Sequence, residues 1–167
     1  MGGGVSRGQP VIDVDVIPAH LLHGISTGAA ANIDLMVGTA SDEWWLFMVP
    51  NGEVGQITQA MLPGAIAARG IPVDAVLATF RATRPGASAG DLLTAIMGDW
   101  YFRIPAMRLA DAHAASAATL FMYVYAFAWR SPQFIGTLGA YHGIENPFVF
   151  DTLGHGTELL LGKTPMQ

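Results

Sequence analysis

Thr119-Leu120-Phe121-Met122-Tyr123-Val124-Tyr125-Ala126-Phe127-Ala128 is apolar or aromatic at odd and even positions alike. Successive strand residues point to opposite faces of a sheet, so a run apolar in both phases predicts a strand buried on both sides. Such burial requires helices above and below the sheet, and the class that follows is α/β. The run lies within the longest uncharged stretch, Ala114 to Trp129, which is 16 residues long. That is short of the ~20 needed to span a bilayer as a helix. Ser116, Thr119 and two tyrosines also interrupt it, and it reads as buried globular structure.

Working outward, Ile33-Asp34-Leu35-Met36-Val37-Gly38-Thr39 is rich in strand formers and stops at Gly, a second candidate for an interior strand. Ser41-Asp42-Glu43 then precedes Trp44-Trp45-Leu46-Phe47-Met48, as a hydroxyl and two acids precede a helix whose dipole favours negative charge at its start. Pro50-Asn51-Gly52 predicts a turn, followed by helical patterning over about Val54–Ala68 and over Val73–Thr83. Ser88-Ala89-Gly90-Asp91 resembles a capping box with Asp in place of Glu, and Leu92, Leu93, Ile96 and Met97 form one buried helical face. A further helix is expected from about Asp99 to Ala115, with Pro105 in its first two turns. Nearer the N-terminus, Val11 to Ile17 alternates with Asp between two prolines, which suits a short extended segment, and a short helix is expected from about Ala19. Only two or three convincing strands are present, too few for a complete doubly wound sheet.

Composition narrows the function. The 167 residues carry 8 Lys+Arg against 13 Asp+Glu, a net charge of −5. An acidic chain without a Lys/Arg cluster lacks the basic charge that nucleic-acid or anionic-membrane binding requires. The absence of Cys excludes disulfides, zinc thiolates and a cysteine nucleophile. Apolar residues make up 51% and charged residues 13%, against about 25% charged in an ordinary soluble domain. A normal core is covered by too little charge, as though some surface were buried elsewhere. No secretory signal is visible at the N-terminus, and the compartment stays open.

Four motifs invite chemistry. Gly24-Ile25-Ser26-Thr27-Gly28 and Gly86-Ala87-Ser88-Ala89-Gly90 match the Gly-x-Ser-x-Gly nucleophile pattern, which has meaning only on a sharp turn from strand into helix. Ser26 follows a helical stretch and precedes a strand; Ser88 follows Arg84-Pro85 and is better explained as a helix cap. His20 and His23 share one helical face without an accompanying carboxylate pair, and read as surface residues rather than metal ligands. Gly2-Gly3-Gly4 is similar to an oxyanion turn but lacks a strand before it. Glu43 and His142 differ: each lies just past the end of a predicted strand, where α/β sheets gather their reactive groups, and an acid that orients an imidazole is two thirds of a Ser-His-acid triad.

At these residues the sequence resembles the type-B carboxylesterase family. Pro10-Val11-Ile12-Asp13-Val14-Asp15-Val16-Ile17-Pro18 is similar to its Pro-Val-Val-Asp-Gly-Asp-x-Leu-Pro segment, with Val14 for Gly. Val37-Gly38-Thr39-Ala40-Ser41-Asp42-Glu43 resembles the Gly-x-Asn-x-Asp-Glu stretch that carries the triad acid. Asp99 to Pro105 resembles the Asp-x-x-Phe-x-x-Pro helix, Tyr123 to Phe127 the Tyr-x-Tyr-x-Phe strand, and Gly139 to Phe150 the Gly-Ala-x-His-Gly-x-Glu-x-Pro-Phe-Val-Phe segment around the catalytic His.

The resemblance implies a partial α/β-hydrolase fold, with residues 1–167 forming the C-terminal strands and flanking helices of one domain truncated at both ends. It assigns Glu43 as triad acid and His142 as base, with Glu145 as a supporting carboxylate. It also implies that the nucleophile elbow and oxyanion glycines lie outside the chain. The expected substrate is a small carboxylic ester, with no metal or organic cofactor, no nucleic acid and no membrane partner. The chain is expected to need the N-terminal part of the fold for activity. Trp44, Trp45, Phe134 and Tyr141 are candidates for an acyl or alcohol pocket, or for plain core. The competing reading is a non-catalytic, cholinesterase-like interaction module or an inactive relic.

Overall fold

The computed structural model describes residues 10–13, 15–127 and 138–161, without the side chains of Leu159 and Leu160. In chain order the elements are α1 (Leu21–Ser26), β1 (Leu35–Ala40), α2 (Trp45–Met48), α3 (Leu62–Ala67), α4 (Val73–Thr83), α5 (Ala89–Gly98), α6 (Ile104–His113), β2 (Leu120–Tyr125), α7 (Asn146–Val149) and α8 (Glu158–Leu161). The described residues divide into two compact units, one up to Val37 with Ala106–Met122, the other Gly38–Pro105 with Tyr123 onward.

In the first unit, Leu35 N–H donates to Thr119 O at 2.8 Å and Thr119 N–H donates to Asp34 Oδ1 at 2.8 Å. Buried His113 bonds Ile33 O through Nε2 at 2.8 Å, which places the hydrogen on that nitrogen because a carbonyl only accepts. The segment expected to be extended near Asp13 is instead a turn. Asp13 Oδ1 accepts from the N–H groups of Asp15, Val16 and Ile17 at 3.2, 2.9 and 2.8 Å. A short acidic side chain that can satisfy its own following amides competes successfully with strand pairing.

The second unit carries the larger apolar core. Leu62, Ile66, Leu92, Ile96 and Met97 are its most buried members, and the face predicted for α5 is the face that is buried. Ser88 Oγ accepts from Asp91 N–H at 3.1 Å while Asp91 Oδ2 accepts from Ser88 N–H at 2.9 Å, so the capping box is formed with Asp as the returning acid. Ser88→Ala is expected to lower thermal stability by about 1 kcal/mol. Equal denaturation midpoints for the two proteins would show the cap to be dispensable.

Two helical expectations change in detail. The stretch 54–68 is not one helix: a single tight turn, Val54–Gln56, is followed by α3, whose first turn contains Pro63. The backbone stays helical from α5 into α6, so Pro105 lies inside a long helix rather than near a start. Proline has no N–H and its ring crowds the preceding turn. The chain meets both demands by widening Asp99–Arg103 into a π-helical turn, in which Ile104 N–H donates to Asp99 O.

β1 and β2 form a two-stranded parallel sheet. The far end of the Tyr123 ring lies over Gly38, in the space a Cβ would take. β2 forms where its residues predict a strand, but its burial on both faces is contradicted. Phe121, Met122, Tyr123 and Val124 are 57, 41, 43 and 51% exposed, so both faces of the strand meet solvent. Apolar residues in both phases are fit to be covered on two sides, and the described residues do not cover them.

Candidate active site

The site grows from the loop after β1. Ser41 N–H donates to Tyr125 O at 2.8 Å and marks the last bond of the sheet. The acids expected to begin a helix do something else: α2 has Trp44 at its N-cap position with no side-chain cap, and Asp42 and Glu43 turn to neighbouring loops. Glu43 is buried. Its Oε1 accepts from Ala40 N–H at 2.6 Å, and its Oε2 lies 2.6 Å from His142 Nδ1. A carboxylate only accepts, so Nδ1 carries the hydrogen. His142 Nε2, the other ring nitrogen, has no hydrogen-bond partner among the described residues.

The hydrogen bond to Glu43 holds the His142 pKa above its ordinary 6.5 against the opposing effect of burial, and the negative charges of Glu43 and Glu145 push the same way. Glu145 Oε2 is buried without a partner among the described residues. A group whose folded pKa is raised stabilises the fold while protonated. The Glu43–His142 contribution is therefore fully present below about pH 6.5 and is lost as pH rises through the raised folded value. The stability gap between the chain and Glu43→Gln is expected to narrow between pH 5.5 and 8.5, read from denaturant midpoints. A gap constant across that range would show that the pair does not gain from the proton.

Aromatic rings fix the imidazole from its sides. Phe102, in the π-helical turn, has its ring centroid 4.7 Å from that of His142, and Phe47 lies at 5.7 Å. Trp44 stacks on Tyr101 at 4.7 Å beneath this layer of the core. A π turn at a functional site is a recurrent arrangement, since it shifts side chains that a regular helix would aim elsewhere. Of the expected pocket aromatics, Trp44 belongs to the larger core and Tyr141 to a second cluster with Leu138, Ile144 and Leu161. Burial pushes the Tyr141 phenol up to about 12, so it stays protonated. Trp45 lines a small cavity of about 130 Å³ with Ser41, Asp42 and Glu43, while Phe134 lies outside the described residues. Phe47 and Phe102 were not singled out by their sequence, although Phe102 is the Phe of the Asp-x-x-Phe-x-x-Pro pattern.

The two Gly-x-Ser-x-Gly serines have other employment. Ser26 Oγ donates to His23 O at 2.9 Å within α1, and Ser88 caps α5. His20 Nδ1 accepts from Leu22 N–H at 3.3 Å as the cap of α1. Gly2 to Gly4 lie outside the described residues. Among the described residues no helix is long and apolar enough to cross a membrane, and no group of three or more acids and histidines could hold a metal ion.

The model of the carboxylesterase family matches residues 3–163. The chain is 31% identical over 146 residues to the para-nitrobenzyl esterase of Bacillus subtilis (strain 168), a match spanning 87% of this chain and 28% of that protein. Among solved structures it is similar to the Geobacillus stearothermophilus carboxylesterase EST55 at pH 6.2, with TM-score 0.76, 28% identity, 95% of this chain covered and 32% of that one. The same enzyme at pH 6.8 gives TM-score 0.67 and 26% identity over 87% of this chain and 28% of that one. The chain thus spans under a third of the length of these relatives.

Proposed function

Since the chain belongs to the carboxylesterase family, we propose that it supplies the acid and the base of a Ser-His-Glu ester hydrolase. In this reading residues 1–167 are the C-terminal part of one α/β-hydrolase domain, and the serine and oxyanion donors come from residues outside them. The observation that carries the proposal is the 2.6 Å contact from buried Glu43 Oε2 to His142 Nδ1, with Nε2 left without a described partner.

The chemistry follows from which nitrogen holds the hydrogen. Nε2 accepts the proton of an attacking serine hydroxyl as the ester carbonyl becomes tetrahedral, then returns it to the departing alcohol. Water repeats the sequence to release the acid. Glu43 fixes the tautomer that leaves Nε2 basic and stabilises the imidazolium once it forms. Glu145, three residues past His142, adds negative charge that favours the imidazolium. The substrate class is a small carboxylic ester, and no step needs a metal or organic cofactor.

Assayed alone with a short-chain aryl ester, the chain is expected to show no turnover beyond that of its His142→Ala variant. Turnover that disappears on changing Ser26 or Ser88 would overturn the reading, because those serines would then be nucleophiles. An interaction module is the alternative that exposed β2 suits, but such a module has no use for a buried carboxylate held on an imidazole.

A further inference from the structure

We propose that Asp42 is a positioning residue for His142: it clasps Ala140 from two sides and so holds the imidazole loop in register with Glu43. Asp42 N–H donates to Ala140 O at 2.9 Å, and Ala140 N–H donates back to Asp42 Oδ2 at 2.9 Å. Ser41 Oγ, at 2.9 Å from the same oxygen, steadies the carboxylate. Ala140 is fully buried, so an unmatched amide there would cost the desolvation of a polar group.

The neighbouring residue records how close the approach is. Gly139 has φ +63, and a Cβ at that position would lie 2.7 Å from Asp42 Oδ2. Left-handed backbone and lack of room both select glycine there, and the lack of room is created by Asp42. Consecutive residues, Asp42 and Glu43, thus grip Ala140 and His142. The Glu43 contact joins a buried carboxylate to a half-exposed ring flanked by Phe47 and Phe102, and its length depends on where the loop that carries the ring is held. Fixing Ala140 sets the place of the loop two residues before the imidazole, so that His142 Nδ1 meets Glu43 Oε2 in register.

The inference rests on the acid–base reading of Glu43 and His142, and its test separates the two. The charged groups acting on the His142 ring are Glu43 and Glu145; Phe47 and Phe102, packed beside it, do not titrate. The full chain is treated with diethyl pyrocarbonate, which acylates neutral imidazole, and the His142 peptide is followed by mass spectrometry from pH 5 to 9. Asp42→Ala is expected to move the His142 midpoint down toward 6.5. Each unit of movement raises the rate below both midpoints about tenfold.

Asp42→Asn, which keeps an oxygen to accept from Ala140, is expected to retain the unaltered profile. Gly139→Ala, which pushes a methyl against the carboxylate, is expected to reproduce the Asp42→Ala shift and serves if that variant does not fold. A profile for Asp42→Ala or Gly139→Ala that superimposes on that of the unaltered chain overturns the clasp. So does an Asp42→Asn profile as displaced as the Ala one, since charge rather than position would then be at work. If Glu43→Gln leaves the midpoint unmoved while the Asp42 variants shift it, the acid–base reading fails and the clasp stands. If Glu43→Gln shifts it and the Asp42 variants do not, the reverse holds.

Discussion

Transplanted in place of the matching segment of an intact para-nitrobenzyl esterase, this chain is expected to sustain hydrolysis of a short aryl ester. In that transplant His142→Ala should lower kcat on the order of a million-fold, and Glu43→Gln about ten-thousand-fold. The two differ because the imidazole moves the proton itself, whereas the carboxylate acts through the imidazole. Gln at position 43 can still accept from Ala40 N–H, so the loop is retained while the charge that favours imidazolium is removed. Both losses belong in kcat with little change in KM, since neither group holds the ground-state ester. A pH profile of kcat/KM for the unaltered transplant should rise through the His142 pKa, which lies above 6.5, because only the neutral ring can accept a proton. A folded transplant whose Glu43→Gln or His142→Ala variant keeps activity within tenfold would remove these residues from the mechanism.

The sequence made some of this legible and hid the rest for physical reasons. Local signals were readable. Ser88 and Asp91 sit three apart before an apolar face, and both capping hydrogen bonds are formed. Leu92, Leu93, Ile96 and Met97 repeat at helical spacing, and all four are buried. Glu43 and His142, 99 positions apart, could be paired only through strand ends and family motifs, and the structure brings them into contact. Ser41-Asp42-Glu43 misled as a helix start, because acids ahead of an apolar run look alike whether they serve a dipole or a neighbouring loop. The π-helical turn was also hidden. Pro105 signals a disturbed helix, but whether the chain kinks, breaks or widens depends on what packs against it, here Trp44, Phe47 and His142 against Tyr101 and Phe102.

Of Thr119 to Ala128, which reads as a doubly buried strand, Leu120–Tyr125 is a strand, Ala128 lies outside the described residues, and both faces of the strand meet solvent; Val124→Lys exploits the difference. In the isolated chain Val124 is 51% exposed. A lysine there should change stability by no more than about 0.5 kcal/mol, and should reduce association by interrupting an apolar strand. In the transplant, where we propose that both faces of β2 are covered, the same lysine would lose its water without gaining a partner. Burying an unpaired ammonium costs several kcal/mol even after relaxation, enough to consume much of the roughly 5–15 kcal/mol that holds a domain together. The variant should therefore make the isolated chain more soluble and the completed enzyme unfolded or inactive. The low charge of the sequence, 13% of residues, has the same origin in this view, as a surface meant to be covered has little use for charge. The unaltered chain, for its part, should bind a hydrophobic dye and self-associate in sedimentation. A monodisperse monomer that binds no dye, or equal tolerance of Val124→Lys in both settings, would mean that β2 is a solvent-facing strand in its own right.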